Sequence, residues 1–225
     1  MAAFIIAGGK SSRMGTSKPL LELAGESMLA RALGLASEVS GYCIVIGPAS
    51  LRDHTTARVV EDAWPGCGPL GGIATALNWA ARRSPSQAWN LIVACDMPYL
   101  TREWLLYLVQ RALASEADVV IAVHDSGGGH GPERDQARQL EPLCGMYGCI
   151  AGAAITAAVE RGIRRVTDGF AGLKVELVEP AEWKRFDSDG RLFKNVNAPE
   201  DYQEAKEFFE AMAAGNGIVN LQPGE

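Results

Sequence analysis

Short apolar runs recur along this chain, each followed by a stretch with helical spacing, and that alternation restricts the fold more than any other feature. Ala3–Ala7 reads as a strand ending at Gly8-Gly9. Met28–Val39 reads as a helix with Leu29, Leu33 and Ala36 on one face, and Tyr42–Ile46 as a second strand. Val59-Val60 is a short third strand, ending at Glu61-Asp62, and a Gly/Pro loop opens a helix over Leu70–Ala81. Trp89–Cys95 is a fourth strand ending at Asp96, Thr101 can cap a helix over Arg102–Ala114, and Asp118–Val123 is a fifth strand. This alternation calls for a mostly parallel sheet with helices on both faces, a Rossmann-like three-layer α/β sandwich.

Past Val123 the pattern changes. Asp125–Gln139 is glycine-rich and charged and reads as a loop. Glu141–Tyr147 reads as a strand, Cys149–Glu160 as a helix and Lys174–Val178 as another strand. Pro199-Glu200-Asp201 opens a last helix whose packing stripe is Tyr202, Ala205, Phe209 and Met212. Gly215–Glu225 reads as a frayed tail. No repeat or linker interrupts the pattern, so residues 1–225 are read as one domain. The part after Asp125 is expected to lay extra elements over the sheet.

Charge and cysteine usage narrow the partners. Lys and Arg number 21 against 27 Asp and Glu, a net charge of −6, which argues against a nucleic-acid or anionic-membrane partner. The apolar runs Ala2–Ala7 and Cys149–Val159 are too short to span a bilayer. Five cysteines (43, 67, 95, 144 and 149) at wide spacing form no disulfide framework and no CxxC site, which fits a reducing cytoplasm.

In sheets of this kind ligands bind beyond the carboxyl ends of the strands. Three loops lie there: Gly8–Lys18, Asp62–Gly72 and Asp96–Leu100. The first reads Ala7-Gly8-Gly9-Lys10-Ser11-Ser12-Arg13-Met14-Gly15-Thr16-Ser17-Lys18. Its glycines let several N–H groups point at one anion, and Lys10, Arg13 and Lys18 add positive charge. Residues 1–21 contain no acid. This combination suits a triphosphate. It is not a Walker A loop, because Phe4 stands where the first glycine is required, nor a GxGxxG turn, because Gly8 and Gly9 are adjacent. Asp96, following an apolar strand, can hold Mg²⁺ near those phosphates or can serve as a turn residue before Pro98.

Ile6-Ala7-Gly8-Gly9-Lys10-Ser11-Ser12-Arg13-Met14-Gly15 with Lys18 resembles the (L/I)AGGxSxRMGxxK signature of the molybdenum cofactor guanylyltransferases, within the nucleotidyltransferase superfamily. Cys95-Asp96-Met97-Pro98 resembles the family's CDMP segment, and Asp62 with Gly68-Pro69-Leu70-Gly71-Gly72 its D…GPLxG stretch. Asn195-Val196-Asn197-Ala198-Pro199-Glu200-Asp201 resembles its NxNTPED segment, and Glu141-Pro142-Leu143 with Gly145-Met146-Tyr147 is similar to its second-substrate strand. Gly47-Pro48 stands where the family often has asparagine.

The resemblance implies a fold of nucleotidyltransferase type and transfer of GMP from GTP to molybdopterin, with Mg²⁺ as cofactor. Other proteins of molybdenum cofactor biosynthesis would be partners. Arg13 and Lys18 would neutralise phosphates, with Gly8, Gly9 and Ser11 lining the phosphate loop. Asp96 would hold the metal. Ile6, Ala7, Gly8, Asp62 and Gly68 would meet the nucleotide, Asp62 at the N1–H and N2–H₂ edge of guanine, with a turn role as the alternative for Asp62. Asn195 and Asn197 would approach the metal or the acceptor, or serve as turn and cap residues. Two other readings stay open: a nucleotidyltransferase with a different base or phosphorylated acceptor, and a non-catalytic nucleotide-binding module. His124 and His130 are expected at the surface, and the five tryptophans in packing.

Overall fold

The computed structural model describes residues 1–8, 17–83, 89–125 and 138–216. Among these residues nine strands form in chain order: β1 (Ala2–Ile6), β2 (Glu22–Leu23), β3 (Glu26–Ser27), β4 (Cys43–Ile46), β5 (Arg58–Val60), β6 (Trp89–Ala94), β7 (Val119–Asp125), β8 (Arg138–Gly148) and β9 (Val175–Val178). Six α-helices accompany them: α1 (Met28–Ser37), α2 (Gly68–Arg83), α3 (Arg102–Ala114), α4 (Ala151–Glu160), α5 (Pro180–Trp183) and α6 (Pro199–Asn216). Seven strands make one sheet in the order β5-β4-β1-β6-β8-β7-β9, and β2 and β3 make a separate hairpin. Within the large sheet β8 alone is antiparallel to its neighbours.

Strand β1 shows why the sheet is central. Its residues read as an unbroken apolar run because both faces are covered. Ala3 and Ile5 join Val45, Leu91, Val93 and Val120 in a core closed by Leu29 of α1 and by Trp104, Leu105 and Leu108 of α3. Phe4 and Ile6 face the other way, with Ile44, Ile92 and Ile121, under Leu70 and Ile73 of α2 and Ile155 of α4. These two cores make the expected three-layer sandwich. Ser27 and Thr101 cap α1 and α3 by accepting from the N–H of Ala30 and Trp104.

Three expectations change. Of the chain after Asp125, α4 lies over the sheet as expected, whereas β8 and β9 join the sheet itself, β8 between β6 and β7 and β9 at the edge beyond β7. Met212 is 51% exposed and leaves the α6 stripe, whereas Ala205 and Phe209 are buried against Leu23, Met28, Tyr99 and Val196. Helix α6 continues through Asn216, so the expected tail is shorter, and residues 217–225 lie outside the described region, as does most of the expected loop at 125–139. Among the described residues no helix is long and apolar enough to cross a membrane. Trp104 and Trp183 are packed as expected.

Gly145 holds the antiparallel insertion in place. It pairs with Ile92 on one side and Ile121 on the other. A Cβ there would lie 2.5 Å from Ile121 Cγ2 and 3.1 Å from the Val120 carbonyl oxygen. Gly145→Ala should therefore destabilise the fold by about 1–3 kcal/mol, the usual cost of overpacking. A lowered urea midpoint checks this, and an unchanged one would contradict the packing described.

Candidate active site

Strands β1 and β6 are parallel neighbours, so their carboxyl ends open at one edge. The Cys95 N–H donates to the Ile6 carbonyl at 3.1 Å, which extends the pairing past β6 and fixes where Asp96 emerges. Beside it, Lys18 begins a short 3-10 turn, Lys18–Leu20, anchored by the buried ring of Pro19. Lys18 Nζ donates to Asp96 Oδ2 at 2.5 Å and to Asn197 Oδ1 at 2.8 Å. The side chains of Lys18 and Asp96 are 19% and 22% exposed, so the pair sits in a mouth that solvent still reaches.

Asn197 arrives there because the chain before α6 is tied down. The Val196 N–H donates to the Asp96 carbonyl at 2.9 Å, and the Val196 side chain is buried in the small core beneath α6. Asp201 Oδ2 accepts from the N–H groups of Asn197 and Ala198, each at 2.8 Å. The capping role at this helix start therefore belongs to Asp201, and the Asn197 amide is turned toward Lys18. Asn195 Oδ1 is buried without a partner among the described residues. A desolvated acceptor of this kind costs about 1–3 kcal/mol unless something serves it. Asp96 and Asn197 offer a carboxylate and an amide oxygen, hard donors of the kind that Mg²⁺ prefers. The Lys18 ammonium already bridges these two groups.

The residues expected at the nucleotide spread away from this point along the sheet edge. Ile6 ends β1 and Ala7 follows it, with the Ala7 N–H donating to the Ile46 carbonyl at 2.8 Å, and Gly8 is exposed beyond them. Gly47 lies under Ala7. A Cβ on it would come within 3.3 Å of the Ala7 carbonyl group and 3.0 Å of Leu51 Cδ1, so an asparagine here would press on both. Asp62 follows β5, three strands from β6 and so about 14 Å across the edge at usual strand spacing. Its Oδ1 accepts from the Trp64 N–H (2.9 Å) and the Thr75 hydroxyl (2.8 Å), which is turn chemistry. Gly68 is the exposed first residue of α2. Gly9, Ser11 and Arg13 lie outside the described residues.

Thr75 deserves a test, since it also accepts from the Ala63 N–H at 3.0 Å and is 4% exposed. Thr75→Val keeps the shape but strands those polar groups. We expect a loss of about 1–3 kcal/mol in unfolding free energy. An unchanged unfolding free energy would show that Thr75 does not hold Asp62.

His124 departs from the surface position expected for it. Its Nε2 lies 2.5 Å from Glu141 Oε1, and the Glu141 side chain is only 9% exposed. Burial pushes the Glu141 carboxyl up, the bond to His124 pulls it down, and the charge of Asp96 pushes it up again. His130 lies outside the described residues. The buried thiols of Cys95 and Cys144 are also pushed up by desolvation, that of Cys144 to about 12, so neither is a nucleophile at neutral pH.

A family model, the MobA-like NTP transferase domain, matches residues 3–175. The chain is 33% identical over 218 residues to a protein of Pelotomaculum thermopropionicum named "Probable molybdenum cofactor guanylyltransferase", with 94% of each chain covered. It is 29% identical to the molybdenum cofactor guanylyltransferase of Rhodopseudomonas palustris, with 91% of each covered. Among solved structures, molybdopterin-guanine dinucleotide biosynthesis protein A from Archaeoglobus fulgidus superposes with a TM-score of 0.76 at 23% identity, over 94% of this chain and 100% of that one. With the family model matching most of the chain, and a lysine–aspartate pair at the carboxyl edge of a seven-stranded sheet, the chain belongs to the MobA-like NTP transferase family.

Proposed function

We propose that the protein transfers GMP from GTP to molybdopterin, with Mg²⁺, releasing pyrophosphate and forming molybdopterin guanine dinucleotide. The observation that carries this reading is the convergence of Lys18, Asp96 and Asn197 at the carboxyl edge of β1 and β6. The names of the relatives support the choice of base and acceptor.

The terminal phosphate of the acceptor attacks the α-phosphorus of GTP in line. A new P–O bond forms as the bond to the bridging oxygen breaks, and pyrophosphate leaves with that electron pair. The attacking phosphate is already anionic at neutral pH, so no general base is required. Catalysis then consists of positioning and charge neutralisation. Lys18 holds a positive charge where phosphate oxygens gather, and from the sequence Arg13 and the Gly8, Gly9 and Ser11 backbone share that task. Asp96, with Asn197 beside it, would hold Mg²⁺, which when bound neutralises phosphate charge. Asp62 would read guanine through Oδ2, because Oδ1 is committed to Thr75 and Trp64. Ile6 and Ala7 lie on the path between them.

A competition assay tests the base. With molybdopterin and Mg²⁺ present, GTP should support pyrophosphate release while CTP, UTP and ATP do not. Preference for CTP would make the protein a cytidylyltransferase, and activity with phosphosugars alone would replace the acceptor.

A further inference from the structure

Strand β8 is irregular where it nears the site. Between Ile121 and Val123, β7 advances two residues while β8 runs from Gly145 back to Leu140. The surplus residues of β8 bulge out of the ladder, at a proline that has no N–H to contribute to it. The Tyr147 hydroxyl pins the bulge by donating to the Pro142 carbonyl at 2.5 Å. On the other side Val93 pairs with Cys144, and beyond that last pair Glu141 lies near enough to Asp96 to feel its charge. Bulges of this kind re-aim side chains beside functional sites.

Glu141 would be a costly buried carboxylate without His124, its partner at 2.5 Å. The His124 ring in turn stacks on Phe193, with centroids 6.0 Å apart and planes 18° apart. Phe193 is wedged edge-on against Trp183 (4.9 Å, 75°) and Trp104 (5.5 Å, 81°). Trp183 is itself fixed to β7, its Nε1 donating to the Val123 carbonyl at 2.8 Å. Three residues beyond Phe193, Val196 binds the Asp96 carbonyl, and Asn197 then takes Lys18.

We infer that His124 is a positioning residue of the active site: held by Glu141 and stacked on Phe193, it sets segment 193–197 and, through it, the arrangement of Lys18, Asp96 and Asn197. His124 touches none of those three groups. It acts by fixing what carries them, as outer-shell partners do elsewhere. The inference rests on the proposed function only in its choice of nucleotide.

Two readouts test it in the full-length protein. The first needs no ligand: the acetylation rate of Lys18, mapped by mass spectrometry under native conditions, with the exposed Lys174 as reference. His124→Leu should speed Lys18 acetylation about 2- to 30-fold by loosening its bridge to Asn197, with Lys174 unchanged. His124→Gln, which can still bond Glu141, should restore much of the protection. The second readout is calorimetric GTP affinity in Mg²⁺ buffer, expected to weaken about tenfold or more in His124→Leu. Phe193→Leu should mimic it, and the double variant should lose no more than the worse single one, because both act on one unit.

A lowered unfolding midpoint with unchanged Lys18 acetylation and GTP affinity would make His124 merely structural and overturn the inference. A wild-type protein that fails to bind GTP would overturn the proposed function instead, and Lys18 acetylation would then decide the role of His124 alone.

Discussion

Asp96→Asn should abolish turnover while leaving the fold in place. The substitution keeps the shape of the side chain and removes its charge. Lys18 loses its 2.5 Å partner, and the oxygen set beside it loses its carboxylate. A metal's Lewis-acid contribution is worth several kcal/mol, so kcat/KM should fall by about a thousandfold or more. Stability should barely move. The ion pair is partly exposed and contributes about 0–1 kcal/mol, and the backbone bond from Val196 to the Asp96 carbonyl survives. Pyrophosphate release measured beside an unfolding curve separates the two effects. Metal-dependent turnover that persists in Asp96→Asn would refute the metal assignment.

Lys18→Ala should cost about 2–4 kcal/mol of transition-state stabilisation, on the order of 30- to 1,000-fold in kcat/KM, by analogy with oxyanion donors. The argument is local. Lys18 sits on a turn fixed by buried Pro19, which holds the base of its side chain beside Asp96. Its two present acceptors, Asp96 and Asn197, come from distant parts of the chain and meet only here. If the lysine served only to join them, its loss would show in the unfolding midpoint and not in the rate. Wild-type pyrophosphate release in Lys18→Ala would contradict the phosphate role.

The layout was legible in the sequence wherever local chemistry dominates. The run at β1 and the strands after it are apolar because both faces are buried, and Thr101 caps the helix Arg102–Ala114 as its position predicts. The β2–β3 hairpin was not legible. It has two residues per strand, and its turn puts Ala24 at φ 50°, a conformation alanine does not advertise. The insertion of β8 between β6 and β7, and the place of β9 at the edge, also escaped, since pairing between distant strands leaves no periodic mark.

At the site, the meeting of Lys18 and Asp96 follows from the loops after β1 and β6 that the sequence marks at one sheet edge. Their contact with Asn197 is set by a docking of α6 on the hairpin that no local pattern encodes. His124 was misjudged for a related reason. Its partner Glu141 lies beyond a glycine-rich stretch, and only the bulge in β8 brings the two together. The one signal available was an acid at the start of an otherwise apolar strand.

The central claim is that the mouth formed by Lys18, Asp96 and Asn197 carries guanylyl transfer to a pterin phosphate. Mass spectrometry of the products formed from GTP, molybdopterin and Mg²⁺ tests it most directly. The account predicts one pyrophosphate released for each molybdopterin that gains a GMP moiety, with no product when Mg²⁺ is withheld. Release of pyrophosphate without a guanylylated pterin, or no product at all beside active transfer from CTP, would contradict it.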